Sequence, residues 1–230
     1  MRADTLATLN AARAEKRRVC LVRYLERGGE ALVVDGQPVL GEVPADVADA
    51  VANALRRDQS LAADTSLGST FLQVFNPPLR LVVIGAVHIA QSLVPMASLT
   101  GYQVTVVDPR RAFATDSRFP DVAMTQDWPD EAMQALAPDR RTAVVALTHD
   151  PKLDDPGLDV ALRSEAFYIA ALGSRRTHAG RLERLAGLGH DAATLARIHG
   201  PAGLDIGAVS PAEIAVSVLA EMTRVLRGAG

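Results

Sequence analysis

Residues 79–90 read LRLVVIGAVHIA. The apolar, β-branched run at positions 81–84 is typical of a strand buried on both faces of a parallel sheet. Gly85 interrupts this run, and a helix is predicted from about His88 onward. Strand, glycine turn and helix in this order form the first unit of a nucleotide-binding fold, in which the helix-start N–H groups and the helix dipole attract an anion.

The glycine turn follows the dinucleotide-binding pattern G-x-G-x-x-G/A only in part. Its first glycine and final alanine are present, but Val87 stands at the second glycine, where a side chain crowds a pyrophosphate. His88 is expected either to contact a bound phosphate as a neutral imidazole or to pack as a structural histidine. We expect a ligand phosphate to contact four residues of the turn: Gly85, Ala86, Val87 and His88.

A second apolar run, at positions 104–107, ends on Asp108. An acidic residue roughly 20 positions after the glycine turn normally binds a ribose hydroxyl. Two alternatives remain open at this point: Asp108 begins a turn with Pro109, or residues 81–99 span a membrane. Polar and helix-breaking residues within 81–99 argue against the membrane span.

Strands and helices alternate in the rest of the chain. Strands are predicted at 142–147 and 167–172, and helices at 130–136, 156–163, 175–188 and 211–226. This order predicts an α/β fold, a Rossmann-like doubly wound parallel sheet with ligands at the carboxyl ends of its strands. A small α/β segment, with a hairpin at 19–25 and 31–34, precedes it. Because Asn76-Pro77-Pro78 resists both helix and central strand, the predicted domains are residues 1–75 and 76–230.

Polar clusters follow the strands and are expected to share one edge of the sheet. The cluster at 173–178 has a glycine, a helix cap and two arginines, which indicates a second anion site. Its candidate residues are Gly173, Ser174, Arg175 and Arg176. Arg110, after the second strand, is a separate candidate for a ribose contact, as an alternative to Asp108. The alternative is that Ser174 only caps a helix and the arginines are solvated.

His149 and Asp150, close to Asp154 and Asp155, are candidates for cofactor binding, acid–base chemistry or a magnesium ion. A single histidine among crowded acids argues against a transition-metal site, and no metal ligand is assigned. The alternative is an acidic loop in which Asp155 caps a helix starting at Pro156.

Composition narrows the functional classes. The chain has 230 residues, 24 Lys+Arg, 27 Asp+Glu and a net charge of −3, so no basic field favours nucleic acid. No secretory signal is visible, which predicts a cytoplasmic protein with no membrane partner. The single cysteine, Cys20, excludes an internal disulfide and is expected to be buried and structural. No catalytic triad or general base with a clear partner is recognisable, which favours binding over catalysis.

Five separated segments resemble one family, the xanthine dehydrogenase accessory proteins (XdhC/CoxI), in their C-terminal Rossmann domain. They are FNPPLRLVVIGAVHIAQSL (75–93), VVDPRRAFATDSRFP (106–120), LTHDPKLDDPGL (147–158), FYIAALGSRRTHAGRL (167–182) and GPAGLDIGAVSPAEIAVSVLAEM (200–222). The resemblance implies a homodimeric maturation factor that binds the molybdenum cofactor, as molybdopterin or its nucleotide form. Such a factor protects the cofactor, assists its sulfuration by a cysteine desulfurase and inserts it into a xanthine or CO dehydrogenase-type molybdenum hydroxylase.

The resemblance is incomplete before Asn76. Family members carry a Gly-Gly-Cys-Val-Glu segment there that this chain lacks, and Cys20 does not match it; we expect a separate small protein to supply that half. An NAD(P)-dependent oxidoreductase is the alternative function: Asp108 favours NAD, whereas Arg110 and Arg111 could accept the 2′-phosphate of NADP. A methyltransferase that binds its nucleoside with the same glycine turn and Asp108 is a third, weaker candidate.

Overall fold

The structure is a computed structural model that describes residues 1–113, 115 and 117–228. The chain divides into two compact units, Met1–Pro77 and Pro78–Gly230. Within the described residues, no helix has the length and apolar character needed to cross a bilayer.

The first unit is an antiparallel sheet with two helices. Its elements are α1 (Ala3–Ala14), β1 (Val19–Tyr24), β2 (Glu30–Val34), β3 (Gln37–Leu40), α2 (Ala45–Arg57), β4 (Leu61–Thr65) and β5 (Gly68–Phe75). The strand order is β3-β2-β1-β5-β4. Alternate residues of β1 point to opposite faces, so that Leu21 packs in the cluster with α1 and Cys20 in the cluster with α2.

Cys20 is buried, as predicted. Burial raises the pKa of its thiol to about 12, because a thiolate has no favourable solvation inside an apolar cluster. The thiol is therefore protonated at neutral pH.

The second unit is a parallel sheet covered by helices on both faces. Its elements are β6 (Leu79–Ile84), α3 (His88–Leu99), β7 (Tyr102–Val107), β8 (Ala123–Thr125), α4 (Pro129–Leu136), β9 (Thr142–Ala146), α5 (Pro151–Arg163), β10 (Tyr168–Ala171), α6 (Arg175–Gly187), α7 (Ala192–Leu195), β11 (Ile198–His199) and α8 (Pro211–Arg227). The strand order is β11-β10-β9-β6-β7-β8. The predicted Rossmann-like α/β fold is confirmed.

The two helical layers contact different faces of this sheet. Apolar residues of α3 and α8 pack with one face, and those of α4, α5, α6 and α7 pack with the other. The strand order reverses between β6 and β9, which is where ligands bind in open α/β sheets.

One predicted helix start is wrong. We expected Asp155 to cap a helix beginning at Pro156, but α5 begins at Pro151 and Asp150 caps it, accepting a hydrogen bond from the Lys152 N–H at 2.9 Å. Pro151 and Pro156 each directly follow an aspartate, so either Asp-Pro pair has the pattern of a helix start. Pro156 lies inside the helix, and Asp155 forms an ion pair with Arg184 instead.

Gly85 brings the ends of β6 and β9 together. Its φ is +109°, and a Cβ placed on it would lie 2.5 Å from Cγ2 of Thr148. The hydroxyl of Thr148 donates to Asp154 at 2.7 Å, which fixes that side chain. Glycine is required here for both its backbone conformation and its size.

We predict that Gly85→Ala lowers the free energy of unfolding more than Gly101→Ala does. Both positions have positive φ, which costs an alanine about 1–3 kcal/mol. Gly101 has open space around a Cβ, whereas Gly85 meets Thr148 and loses about 1–3 kcal/mol more through overpacking. Urea denaturation of both variants measures the difference, and equal losses would contradict the close approach to Thr148.

Candidate functional site

The glycine turn leaves the start of α3 without a side-chain cap. Ala86 is buried, Val87 is partly buried at the N-cap position, and His88 is exposed as the first helical residue. The first N–H groups of a helix have no intrahelical acceptor. The exposed start of α3 therefore presents N–H donors and the positive end of the helix dipole.

Asp108 links the turn after β6 to the end of β7. Its side chain is fully buried; Oδ2 accepts from the Ala86 N–H at 2.8 Å and from Arg110 Nη2 at 2.7 Å. Oδ1 accepts from the backbone N–H and Nε of Arg110. Both oxygens therefore already have protein donors. The Arg110 guanidinium, about one-third exposed, also lies over the ring of Phe113.

These contacts change the pKa of both partners. Burial raises the pKa of Asp108, but the hydrogen bonds from Arg110 and from the Ala86 N–H outweigh burial and hold the pKa below its ordinary value of 3.8. The hydrogen bond to Asp108 raises the pKa of Arg110, and the charges of Asp150 and Asp154 add to this effect. The end of β9 is thus within electrostatic range of Arg110.

The polar residues after β9 surround a buried carboxylate. Asp154 accepts from the hydroxyl of Thr148 at 2.7 Å, from the N–H of His149 at 3.1 Å and from the N–H of Thr148 at 3.3 Å. His149 has a positive φ of 62°, and its side chain and that of Asp150 are exposed. Asp154 therefore fixes the backbone of this loop, and the side chains of His149 and Asp150 are exposed to solvent.

α6 begins directly after the polar residues that follow β10, as the sequence predicts. Ser174 caps the helix, accepting from the Thr177 N–H at 3.1 Å. Arg175 and Arg176 are exposed in the first turn, where the helix dipole disfavours a cation by about 0.3–1 kcal/mol. The described residues provide neither arginine with a hydrogen-bond or ion-pair partner.

The two arginines line different cavities. Arg176 lines a cavity of about 260 Å³ with residues of α5 and α6. Arg175 lines another, of about 340 Å³, with the loop at 201–208. A molecule that contacts both arginines must therefore reach both sides of the α6 start.

The structure places the predicted site residues at one edge of the sheet, but they do not all contact one another. Ala86 contacts Asp108, and Gly85 approaches Thr148 next to His149. A Cβ on Gly173, whose φ is +138°, would lie 3.7 Å from Nδ1 of His149. Among the described residues, no group of three or more histidine, cysteine or acidic side chains is placed to hold a metal ion.

Sequence reasoning missed two buried charges near this edge. Arg181 lies one turn before Leu185 on the buried face of α6. Glu221, on the buried face of α8, accepts from the Tyr168 hydroxyl at 2.7 Å and from the Gly203 N–H at 3.0 Å, which anchors the loop at 201–208. In both cases the only sequence signal is a charged residue at an apolar position of the helical pattern.

We predict that Asp108→Asn removes a contribution to the free energy of unfolding that depends on pH in the acidic range. The pKa of Asp108 is lower in the folded than in the unfolded chain, so its stabilisation is complete above about pH 4 and is lost as the pH falls through the folded-state value. At neutral pH the variant should lose about 1–2 kcal/mol, a value reduced by the partial exposure of Arg110.

Chemical denaturation at a series of pH values from 3 to 7 measures this difference. The gap between wild type and Asp108→Asn should narrow toward acid, whereas Asp121→Asn, an exposed carboxyl in the same unit, is the control. A gap that stays constant with pH would contradict the proposed pairing of Asp108 with Arg110.

Curated proteins similar to this chain include three bacterial ones. Uncharacterized protein YqeB of Escherichia coli (strain K12) is 32% identical over 161 residues, 70% of this chain and 30% of YqeB. Molybdenum cofactor insertion chaperone PaoD of the same strain is 34% identical over 151 residues, 66% of this chain and 41% of PaoD. A probable xanthine dehydrogenase subunit of Bacillus subtilis (strain 168) is 33% identical over 153 residues, 66% of this chain and 44% of that protein. This chain spans less than half the length of each relative.

A crystal structure of a xanthine dehydrogenase from Bacillus halodurans supports the fold alone. It covers 96% of this chain and 63% of its own, with a TM-score of 0.69 and 24% identity. Residues 81–222, more than half of the chain, match the family described as XdhC Rossmann domain. This chain therefore belongs to the XdhC Rossmann domain family.

Proposed function

We propose that this chain binds the molybdenum cofactor as cargo and inserts it into a molybdenum hydroxylase. Membership of the XdhC family supports this function, as does the similarity to PaoD, which is named a molybdenum cofactor insertion chaperone. The observation that carries the proposal is the pair Arg175 and Arg176, two exposed guanidinium groups at the carboxyl edge of the sheet that have no hydrogen-bond or ion-pair partner among the described residues.

The donors at this edge suit a phosphate-bearing cargo. Helix-start N–H groups of α3 lie after β6, and arginines follow β10. A bound anion would offset the unfavourable position of two cations in the first turn of α6. We propose that the phosphate of molybdopterin, or the diphosphate of its nucleotide form, binds to these groups, with Gly85 to His88 on one side and Gly173 to Arg176 on the other.

Arg110 is better placed than Asp108 to contact a pterin or ribose edge. Both oxygens of Asp108 accept hydrogen bonds from protein donors, whereas the guanidinium of Arg110 is about one-third exposed. His149 and Asp150 are exposed nearby. We propose that these side chains hold the cargo and shield it from water, and that the chain binds it without chemical turnover.

The NAD(P)-dependent oxidoreductase is a weaker proposal on this geometry. A ribose hydroxyl would have to displace Arg110 from Asp108, and Val87 stands where a pyrophosphate needs a glycine. Competition by NAD therefore distinguishes the two functions.

The proposed partners follow from the cargo. We propose delivery to a xanthine or CO dehydrogenase-type hydroxylase, sulfuration of the held cargo by a cysteine desulfurase, and a separate small protein that supplies the Gly-Gly-Cys half. We also propose a homodimer in the cytoplasm. The relatives are more than twice as long as the region that matches this chain. Their roles therefore do not transfer directly to this chain, and reconstitution from purified components tests them.

We predict that Arg175→Ala and Arg176→Ala each weaken cofactor binding by about 10- to 100-fold. A charge-assisted hydrogen bond contributes about 1.5–3 kcal/mol, and each 1.4 kcal/mol is tenfold in affinity. The measurement is anaerobic equilibrium binding of isolated molybdenum cofactor, read as pterin fluorescence retained with the full chain, with NAD as competitor. Because the two arginines line different cavities, the double variant should lose more than either single one.

Arg163→Ala is the matched control, since Arg163 is exposed on α5 and paired with Asp159 away from this edge. It should bind the cofactor as wild type does. Unchanged affinity in both Arg175→Ala and Arg176→Ala would remove them from the site. Displacement of the cofactor by NAD would favour the oxidoreductase.

We predict that cofactor held by this chain activates a molybdenum-free hydroxylase only when a desulfurase and a second thiol-bearing protein are present. The assay is hydroxylase activity after reconstitution from purified components. Full activation by this chain and the desulfurase alone would contradict the need for a separate small protein.

A further inference from the structure

The cavity between α5 and α6 is lined by a buried arginine, Arg181, that is not among the proposed cofactor contacts. Its volume is about 260 Å³, below the range of about 300–1,000 Å³ for small-molecule sites. Its charged and titratable lining residues are His149, Asp154, Asp155, Arg176, Arg181 and Arg184.

Arg181 is a buried cation with unused donors. Its side chain is 1% exposed, and Nη2 donates to the Leu172 backbone oxygen at 2.9 Å. Nε and Nη1 have no hydrogen-bond partner among the described residues. A guanidinium carries five N–H donors, and buried donors without an acceptor are rare in native proteins, so Nε and Nη1 of Arg181 call for an acceptor such as a bound anion.

Asp154 does not fill this need. Its oxygens accept from Thr148 and His149, and the nearest approach to Arg181 is 3.6 Å, between Oδ2 and Nη2. Burial raises the pKa of Asp154 and lowers the pKa of Arg181. Both shifts have the same cause, because each charged form loses solvation when it is buried.

The remaining charges leave the cavity positive. Arg184 pairs with Asp155, with Nη2 and Oδ1 3.2 Å apart. Arg176 has no partner among the described residues and is exposed, so it is available to a ligand entering from solvent. Three arginines against two aspartates leave one positive charge unbalanced when His149 is neutral.

We propose that the α5–α6 cavity binds one phosphate-type oxyanion, held by the exposed Arg176 and the buried Arg181. The planar N–H groups of arginine match the oxygens of such an anion. Its source is either inorganic phosphate or the phosphate of the pterin cofactor; the second source rests on the proposed function.

The first experiment titrates inorganic phosphate into the full chain at constant ionic strength, by calorimetry. We expect one saturable site, weakened about tenfold or more in Arg176→Ala and in Arg181→Lys, which is the loss expected for one charge-assisted hydrogen bond. Arg181→Lys keeps the charge but lacks the Nε and Nη1 donors. Arg163→Ala, outside the cavity, should bind phosphate as wild type does.

Thermal unfolding of each variant separates loss of binding from loss of folding. Arg176 is exposed, so Arg176→Ala should remain folded even if Arg181→Lys does not. No saturable phosphate binding by wild type, or equal binding by wild type and Arg176→Ala, would overturn the proposal and leave a hydrated ion pair in the cavity.

The second experiment identifies the source of the anion. Phosphate that displaces the cofactor from wild type, where chloride at equal ionic strength does not, assigns the cavity to the phosphate of the cofactor. Simultaneous binding of both assigns it to free phosphate. Phosphate binding without cofactor retention would overturn only the proposed function, whereas cofactor retention without phosphate binding would overturn only the cavity proposal.

Discussion

Because β6 pairs with β7 on one side and with β9 on the other, the helices that follow β6 and β9 lie on opposite faces of the sheet. α3 packs in one apolar cluster and α5 in the other. The chain segments that leave β6 and β9 therefore diverge and open a crevice. Gly85 and Thr148 meet at its base, and the polar loops after β7 and β10 lie at the same edge. Each candidate ligand contact depends on this divergence.

Two buried carboxylates support the edge in different ways. Asp108 is saturated by Ala86 and Arg110, so it fixes the backbone and leaves the arginine partly exposed. Asp154 fixes the loop after β9 but leaves Nε and Nη1 of Arg181 without a partner among the described residues. The first pair is complete within the protein, and the second is not. Buried polar groups that are only partly satisfied are costly, so a protein gains stability when a ligand completes them.

The sequence predicted the features that depend on local chemistry. Apolar β-branched runs identified the buried strands, and Ser174 identified the cap at the start of α6, which the structure contains. β3 and β4 were not predicted, because β3 is exposed at the sheet edge and contains Pro38, and β4 is short and only half-buried. Such strands lack the apolar pattern that identifies a core strand.

Features that depend on tertiary contacts could not be predicted. Asp150-Pro151 and Asp155-Pro156 offer equivalent helix starts, and the sequence alone does not say which one is used. Arg175 and Arg176 are adjacent in sequence, yet only the positions of α5 and of the 201–208 loop assign them to separate cavities. Arg181 differs in sequence from the solvated arginines of α6 only in its place on the same helical face as Leu185, and its burial comes from packing against α5.

The position of Cys20 limits how sulfur could move through these 230 residues. It is the single cysteine of the sequence, and it lies inside the cluster between α2 and its sheet. A sulfur donor could reach its Sγ atom only when the first unit opens, and core segments open at a free energy close to that of global unfolding. Persulfide transfer through Cys20 would therefore be limited by the rare opening of a folded core.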